Sequence, residues 1–106
     1  MNFTQIISVR SSNPDAIVEL AAAWDANQAE TDIMGYVGSH VLADRDNPGQ
    51  YLIVAEFAAV DPAVPAAEEA ARNNERADTQ LWASKLLEVI DGEPGWGNYD
   101  ELYRTG

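Results

Sequence analysis

His40 is the only histidine in the chain and there is no cysteine, so proton transfer near neutral pH falls to one imidazole or to carboxylates, and thiolate chemistry is excluded. His40 lies four residues after Tyr36 in a stretch with a period of two. On a regular strand that spacing places an imidazole beside a phenol, a general base next to a hydrogen-bond donor. Tyr51 adds a second phenol on a later strand. Arg72, Asn73 and Asn74 stand in a row within an Ala- and Glu-rich stretch and offer one guanidinium and two amides, the groups that hold a phenolate or carbonyl oxygen. Trp24, Trp82 and Trp96 supply flat aromatic surface. As a set these residues suit a planar ligand carrying oxygens. His40 would be the base, Tyr36 and Tyr51 phenol donors, Asn73 an amide donor, Arg72 the cation, Trp24 and Trp82 the walls, and Trp96 a cover for the cavity mouth or a subunit contact. Each also has a plainer reading. His40 can be a strand histidine with satisfied ring nitrogens, Trp24 and Trp82 core anchors, and Arg72 one partner of a solvated ion pair among Glu68, Glu69 and Glu75.

Other chemistries lack their residues. There is no Ser-His-Asp arrangement, no Gly-x-Gly-x-x-Gly or P-loop pattern, and no carboxylate set with EF-hand spacing, so neither a metal nor a cofactor is expected. Six Lys and Arg face 18 Asp and Glu, a formal charge of -12, which repels phosphate backbones and anionic lipid. Nucleic-acid and membrane partners are therefore not expected. Nor does any apolar run approach the ~20 residues of a bilayer span, and the start Met1-Asn2-Phe3-Thr4-Gln5 lacks a signal-peptide pattern, which points to the cytoplasm. The 106 residues, 46% hydrophobic and 23% charged, suit one folded domain over residues 1–106.

The elements that must position these side chains follow from apolar spacing. Phe3 to Val9 reads as a strand. Asn13, Pro14 and Asp15 make an N-cap, a first helical proline and an acid at the positive end of the dipole. Ile17, Leu20, Ala21 and Trp24 then form the buried stripe of a helix to about Glu30. From Gly35 to Ala43 the period is two, with Tyr36, Gly38, His40 and Leu42 on one face. Asp44 to Gly49 is a turn, and Gln50 to Phe57 returns as the second strand of a hairpin. A helical stretch from about Pro65 is interrupted at Asn73-Asn74. A further helix starts at Asp78, buries Trp82, Leu86, Val89 and Ile90, and ends at Gly92. Trp96 to Tyr103 reads as a last strand. The order strand, helix, strand, strand, broken helix, strand predicts an α+β fold, the ferredoxin-like βαββαβ arrangement with helices on one face of an antiparallel sheet. Both faces of that sheet carry apolar residues, Ile6 beside Ile7 and the run Leu52 to Ala55, so a homodimer is expected to cover the bare one.

This order, with Pro48-Gly49-Gln50-Tyr51-Leu52-Ile53-Val54-Ala55-Glu56-Phe57 and with Arg72-Asn73-Asn74, Thr79-Gln80, Asp91-Gly92, Pro94 and Asn98 to Asp100, resembles the dimeric α+β barrel superfamily. Within it the chain is similar to antibiotic-biosynthesis monooxygenase-type small domains and to uncharacterised actinobacterial proteins. The resemblance implies a pocket between helices and sheet that binds a small aromatic or quinol-like molecule. It also implies oxidation of that molecule without a cofactor as one activity. A non-enzymatic ligand carrier or interaction protein with a filled core is the alternative, and an isomerase or cyclase the third. The haem-degrading members use a His on the later helix and an Asn on the first strand. Here that helix has no His and the first strand carries Gln5, so no haem chemistry is implied. The pocket is expected between Trp82, Tyr51 and the Asn73-Asn74 break.

Overall fold

A computed structural model of the chain describes residues 2–29, 36–58 and 77–105. Their order is β1 (Phe3–Arg10), α1 (Pro14–Ala29), β2 (Tyr36–Ala43), β3 (Gln50–Phe57), α2 (Ala77–Val89) and β4 (Gly95–Asp100). The strands form one antiparallel sheet in the order β2-β3-β1-β4, the expected ferredoxin-like arrangement. The expected stretch from Pro65 to Asn74, with Arg72, Asn73 and Asn74, lies outside the described residues.

Register decides which side chains meet. In β1 and β3 the pairs Phe3 with Phe57, Gln5 with Ala55, Ile7 with Ile53 and Val9 with Tyr51 put the odd-numbered residues of both central strands on one face. Both helices lie on that face. Ile17 of α1 is fully buried there, and with Leu86 and Ile90 from the α2 end it packs on Ile7, Val9 and Ile53. Burial of each such side chain contributes roughly 1.5–3 kcal/mol, which makes this cluster the main support of the fold. Phe3 and Phe57 form a second cluster at the other end of the sheet, with Tyr36 against them.

On the opposite face Val54 is buried and Ile6 and Leu52 are half-buried, while Leu42 and Tyr99 are exposed. Neither described helix reaches this side. The Tyr99 ring instead lies over Gly97, so close that a Cβ at Gly97 would stand 2.6 Å from it. The ring thus occupies the space that a side chain on Gly97 would have filled.

Short connections close the fold. Asn13 Oδ1 accepts from the Ala16 N–H at 3.4 Å as the N-cap of α1, and Gly92 has φ of +79° just after α2, both as expected. In the turn before β3, the Asp44 carboxylate accepts from the Asn47 side-chain amide and the Asp46 backbone N–H, which lowers its pKa. Buried Ser11 ties three segments together. Its hydroxyl donates to the Val89 carbonyl at 2.7 Å and accepts from the Asn13 N–H at 3.0 Å, and its own N–H donates to the Gly49 carbonyl at 3.0 Å.

Two expectations need correction. The last strand ends at Asp100 and not Tyr103, because its partner β1 begins at Phe3, opposite Asp100. One more bond follows, from the Glu101 N–H to the Asn2 carbonyl, and beyond it Leu102 and Tyr103 are 88% and 82% exposed. The second correction bears on the site. Tyr36 pairs with Phe57 and Gly38 with Glu56, so Val37 is an extra residue, a β-bulge. The even alternation breaks there. Tyr36 joins Ser39 and Val41 on the helix-covered face, while Gly38, His40 and Leu42 take the other, so Tyr36 and His40 do not share a face.

Candidate functional site

A pocket opens where small residues meet across the layers. Ala55 of β3 and Ser39 of β2 face Ala21 of α1 and Ala83 of α2, and none of these can fill the space between sheet and helices. The cavity, open to solvent on one side, is about 50 Å³. Trp24 and Trp82 wall it from the helix side with ring centroids 5.7 Å apart and planes tilted by 53°. The Trp82 indole N–H donates to the Leu20 carbonyl at 2.9 Å, which satisfies its one polar atom and sets its orientation. Trp96 of β4, opposite Ile7 in the register, stands at the mouth and is 52% exposed.

Gln5 is the polar group of the interior. It is 8% exposed and lines the pocket, where its Nε2 donates to Asn98 Oδ1 at a long 3.4 Å. A primary amide has two donors and a carbonyl oxygen with two lone pairs, so this single bond leaves most of its capacity unused among the described residues. Burial without full pairing costs stability and creates a group ready for a ligand oxygen. Neither Gln5 nor Asn98 was a candidate from the sequence. The signal was present, since Gln5 is the one polar residue in the inward series Phe3, Gln5, Ile7, Val9.

At the β2 end of the pocket, Tyr36 packs edge-on against Phe57 with centroids 5.7 Å apart, and its hydroxyl donates to Asp25 Oδ1 at 3.1 Å. Burial pushes the phenol pKa above its ordinary value. The nearby Ser39 hydroxyl works the other way by favouring the phenolate, and the hydrogen bond to Asp25 and its charge push upward again.

The structure thus brings Trp24, Trp82 and Trp96 together around one cavity, with Tyr36 just beyond its wall. Tyr51 is elsewhere: paired with Val9 and Ala43, it packs on the main core and does not line the pocket. His40 pairs with Val54 on the far face, is exposed, and borders only an outer groove between α1 and β2. Arg72, Asn73 and Asn74 lie outside the described residues. Among the described residues no group of three or more His, Asp or Glu is placed to hold a metal, and no helix is long and apolar enough to cross a membrane.

No family profile and no curated protein matches the sequence. Solved structures do share the fold. A candidate antibiotic biosynthesis monooxygenase from Nitrosomonas europaea is 16% identical with a TM-score of 0.68, the alignment covering 99% of this chain and 94% of that one. SnoaB, a cofactor-independent oxygenase from Streptomyces nogalater, is represented by its N63A mutant at 16% identity and a TM-score of 0.72, over 97% of this chain and 95% of that one. Rv0793 from Mycobacterium tuberculosis is 11% identical with a TM-score of 0.71 over the full length of both chains.

Proposed function

We propose that this chain, which has the fold of a cofactor-independent oxygenase, binds a small planar aromatic molecule bearing phenol, quinol or carbonyl oxygens between its sheet and helices. The observation that carries the reading is the combination of three tryptophan rings with one buried amide, Gln5, that makes a single long hydrogen bond among the described residues, around a single cavity. Flat apolar walls favour a planar ring, and the amide favours an oxygen on it, the pairing typical of small-molecule sites. Such a ligand, once ionised, is electron-rich enough to react with oxygen unaided, so oxidation without a cofactor is the activity this site would serve.

The size of the cavity shapes the reading. At about 50 Å³ it is smaller than the ~150 Å³ cavity that accepts benzene. A tricyclic ligand therefore enters only if the exposed Trp96 ring at the mouth moves aside. The same observation favours the alternative, a ligand carrier or interaction protein with a filled core. Native mass spectrometry of freshly purified protein separates the two. A copurified aromatic molecule, released on denaturation, supports the pocket reading, and a bare chain whose mass is unchanged by added quinols or anthrones supports the filled core.

The whole chain acts in this proposal as one domain in the cytoplasm, paired with a second copy through the sheet face that carries Ile6, Leu42, Leu52 and Val54. Burying that face removes apolar surface that the described helices leave in water.

A further inference from the structure

The pocket reading requires a route by which the ligand loses a proton, and His40 does not line the pocket. We infer that Ser39, Tyr36 and Asp25 form a proton relay from the pocket to solvent. The inference rests on the proposed binding of an acidic aromatic ligand in that pocket.

Three placements support it. Ser39 lines the inner pocket and also borders the outer groove between α1 and β2, so it stands in the partition between the two. Asp25, an exposed residue of α1, borders the outer groove only. Tyr36 connects them, with its hydroxyl 3.1 Å from Asp25 Oδ1 and its strand position next to Ser39 on the same face. That adjacency is created by the bulge at Val37. A regular β2 would turn Tyr36 to the far face, and bulges beside active sites commonly re-aim a side chain in this way. The Ser39 hydroxyl favours the phenolate of Tyr36, the influence of a donor near that oxygen, and the relay requires the two hydroxyls to close to hydrogen-bond distance when a ligand fills the pocket.

The step balances without a co-reactant. The acidic C–H or O–H bond of the ligand breaks and its electron pair stays on the ligand, which becomes an anion. The proton goes to Ser39 Oγ as the serine proton passes to the Tyr36 oxygen and the tyrosine proton to Asp25 Oδ1. Ser39 and Tyr36 end neutral, and Asp25 becomes a carboxylic acid. Being exposed, Asp25 returns the proton to water. Asp25 is the charged group acting on the Tyr36 phenol, so its removal should alter the pH profile of ligand ionisation.

Stopped-flow absorbance under anaerobic conditions tests the relay with dithranol, a dihydroxyanthrone, whose anion has its own visible band. Tryptophan quenching measures binding in the same samples. The wild type should bind dithranol and generate the anion band. Asp25→Asn, an exposed change that keeps an oxygen to accept from the Tyr36 hydroxyl, and Tyr36→Phe should bind it with affinity within about twofold but form the anion at least tenfold more slowly. Ser39→Ala should show the same slowing. Anion formation at the wild-type rate and with the wild-type pH profile in binding-competent Asp25→Asn and Tyr36→Phe would overturn the relay alone. Failure of the wild type to bind dithranol at all would overturn the pocket reading, and the relay with it.

Discussion

At the scale of single residues, Gln5 carries the most functional information, because its burial makes poor structural sense. A buried amide whose side chain makes one long hydrogen bond among the described residues gains little from its place in an aromatic pocket, whereas a leucine of similar size would fill the same space at little cost. Gln5→Leu is therefore expected to leave the unfolding free energy within about 1 kcal/mol of wild type, or to raise it, as measured by urea denaturation. Loss of several kcal/mol would make Gln5 a structural residue. Tyr36 gives a pH signature. Its pKa in the folded state is raised, chiefly by burial, so the stabilisation linked to the neutral phenol is fully present below the ordinary tyrosine value of ~10 and is lost as pH rises through the higher folded value. Tyr36→Phe should flatten the alkaline limb of a stability-against-pH curve. An unchanged limb would show that the phenol ionises alike in both states. Gln5 was legible from the period of two in β1. The partnership of Tyr36 with Asp25 was not, since it joins a strand to a helix across a segment that no spacing rule spans.

At the scale of elements, the strands and helices were read from their apolar period and turn residues. β3 occupies the expected Gln50 to Phe57, and the stripe Ile17, Leu20, Ala21 and Trp24 is the inward side of α1. What a periodic reading cannot register is one extra residue. Val37 breaks the alternation without leaving a glycine or proline signal at its own position, so the spacing put Tyr36 and His40 on one face, whereas the bulge leaves Tyr36 on the helix-covered face and His40 on the other. The end of β4 was missed for a different reason: a strand stops where its partner stops, and the pairing with β1 ends at Phe3, opposite Asp100. Ser11 shows how much a connection can matter. Ser11→Ala removes a hydroxyl that satisfies the Asn13 N–H and the Val89 carbonyl near the ends of two helices, and leaves those groups without that partner. Thermal denaturation should show a loss of roughly 1–3 kcal/mol, equivalent to several degrees in Tm, while the exposed neighbour change Ser12→Ala stays within about 0.5 kcal/mol. Equal effects at both positions would remove the bridging role of Ser11.

At the scale of the whole molecule, the two faces of the sheet divide the work. One is covered by α1 and α2 and holds the pocket. The other presents Leu42 and Tyr99 to solvent over a floor of Ile6, Leu52 and Val54, and it is the face proposed to pair with a second copy. Sedimentation equilibrium at micromolar concentration should give a dimer, and Leu42→Glu, which places a charge on that face, should shift it toward monomer. A wild-type monomer would contradict the pairing. The net charge of -12 is screened beyond about 10 Å at ordinary salt, which is compatible with the proposed apolar contact. The central claim is nevertheless about the covered face, and one measurement reaches it directly: titration of the intrinsic tryptophan fluorescence with dithranol, comparing wild type with Trp82→Phe and Gln5→Leu. Saturable quenching with a Kd well below millimolar, a limit worth ~4 kcal/mol, should appear in the wild type, diminish in amplitude in Trp82→Phe and weaken at least tenfold in affinity in Gln5→Leu. Quenching that never saturates, or that is the same in all three proteins, would contradict a pocket built from those side chains.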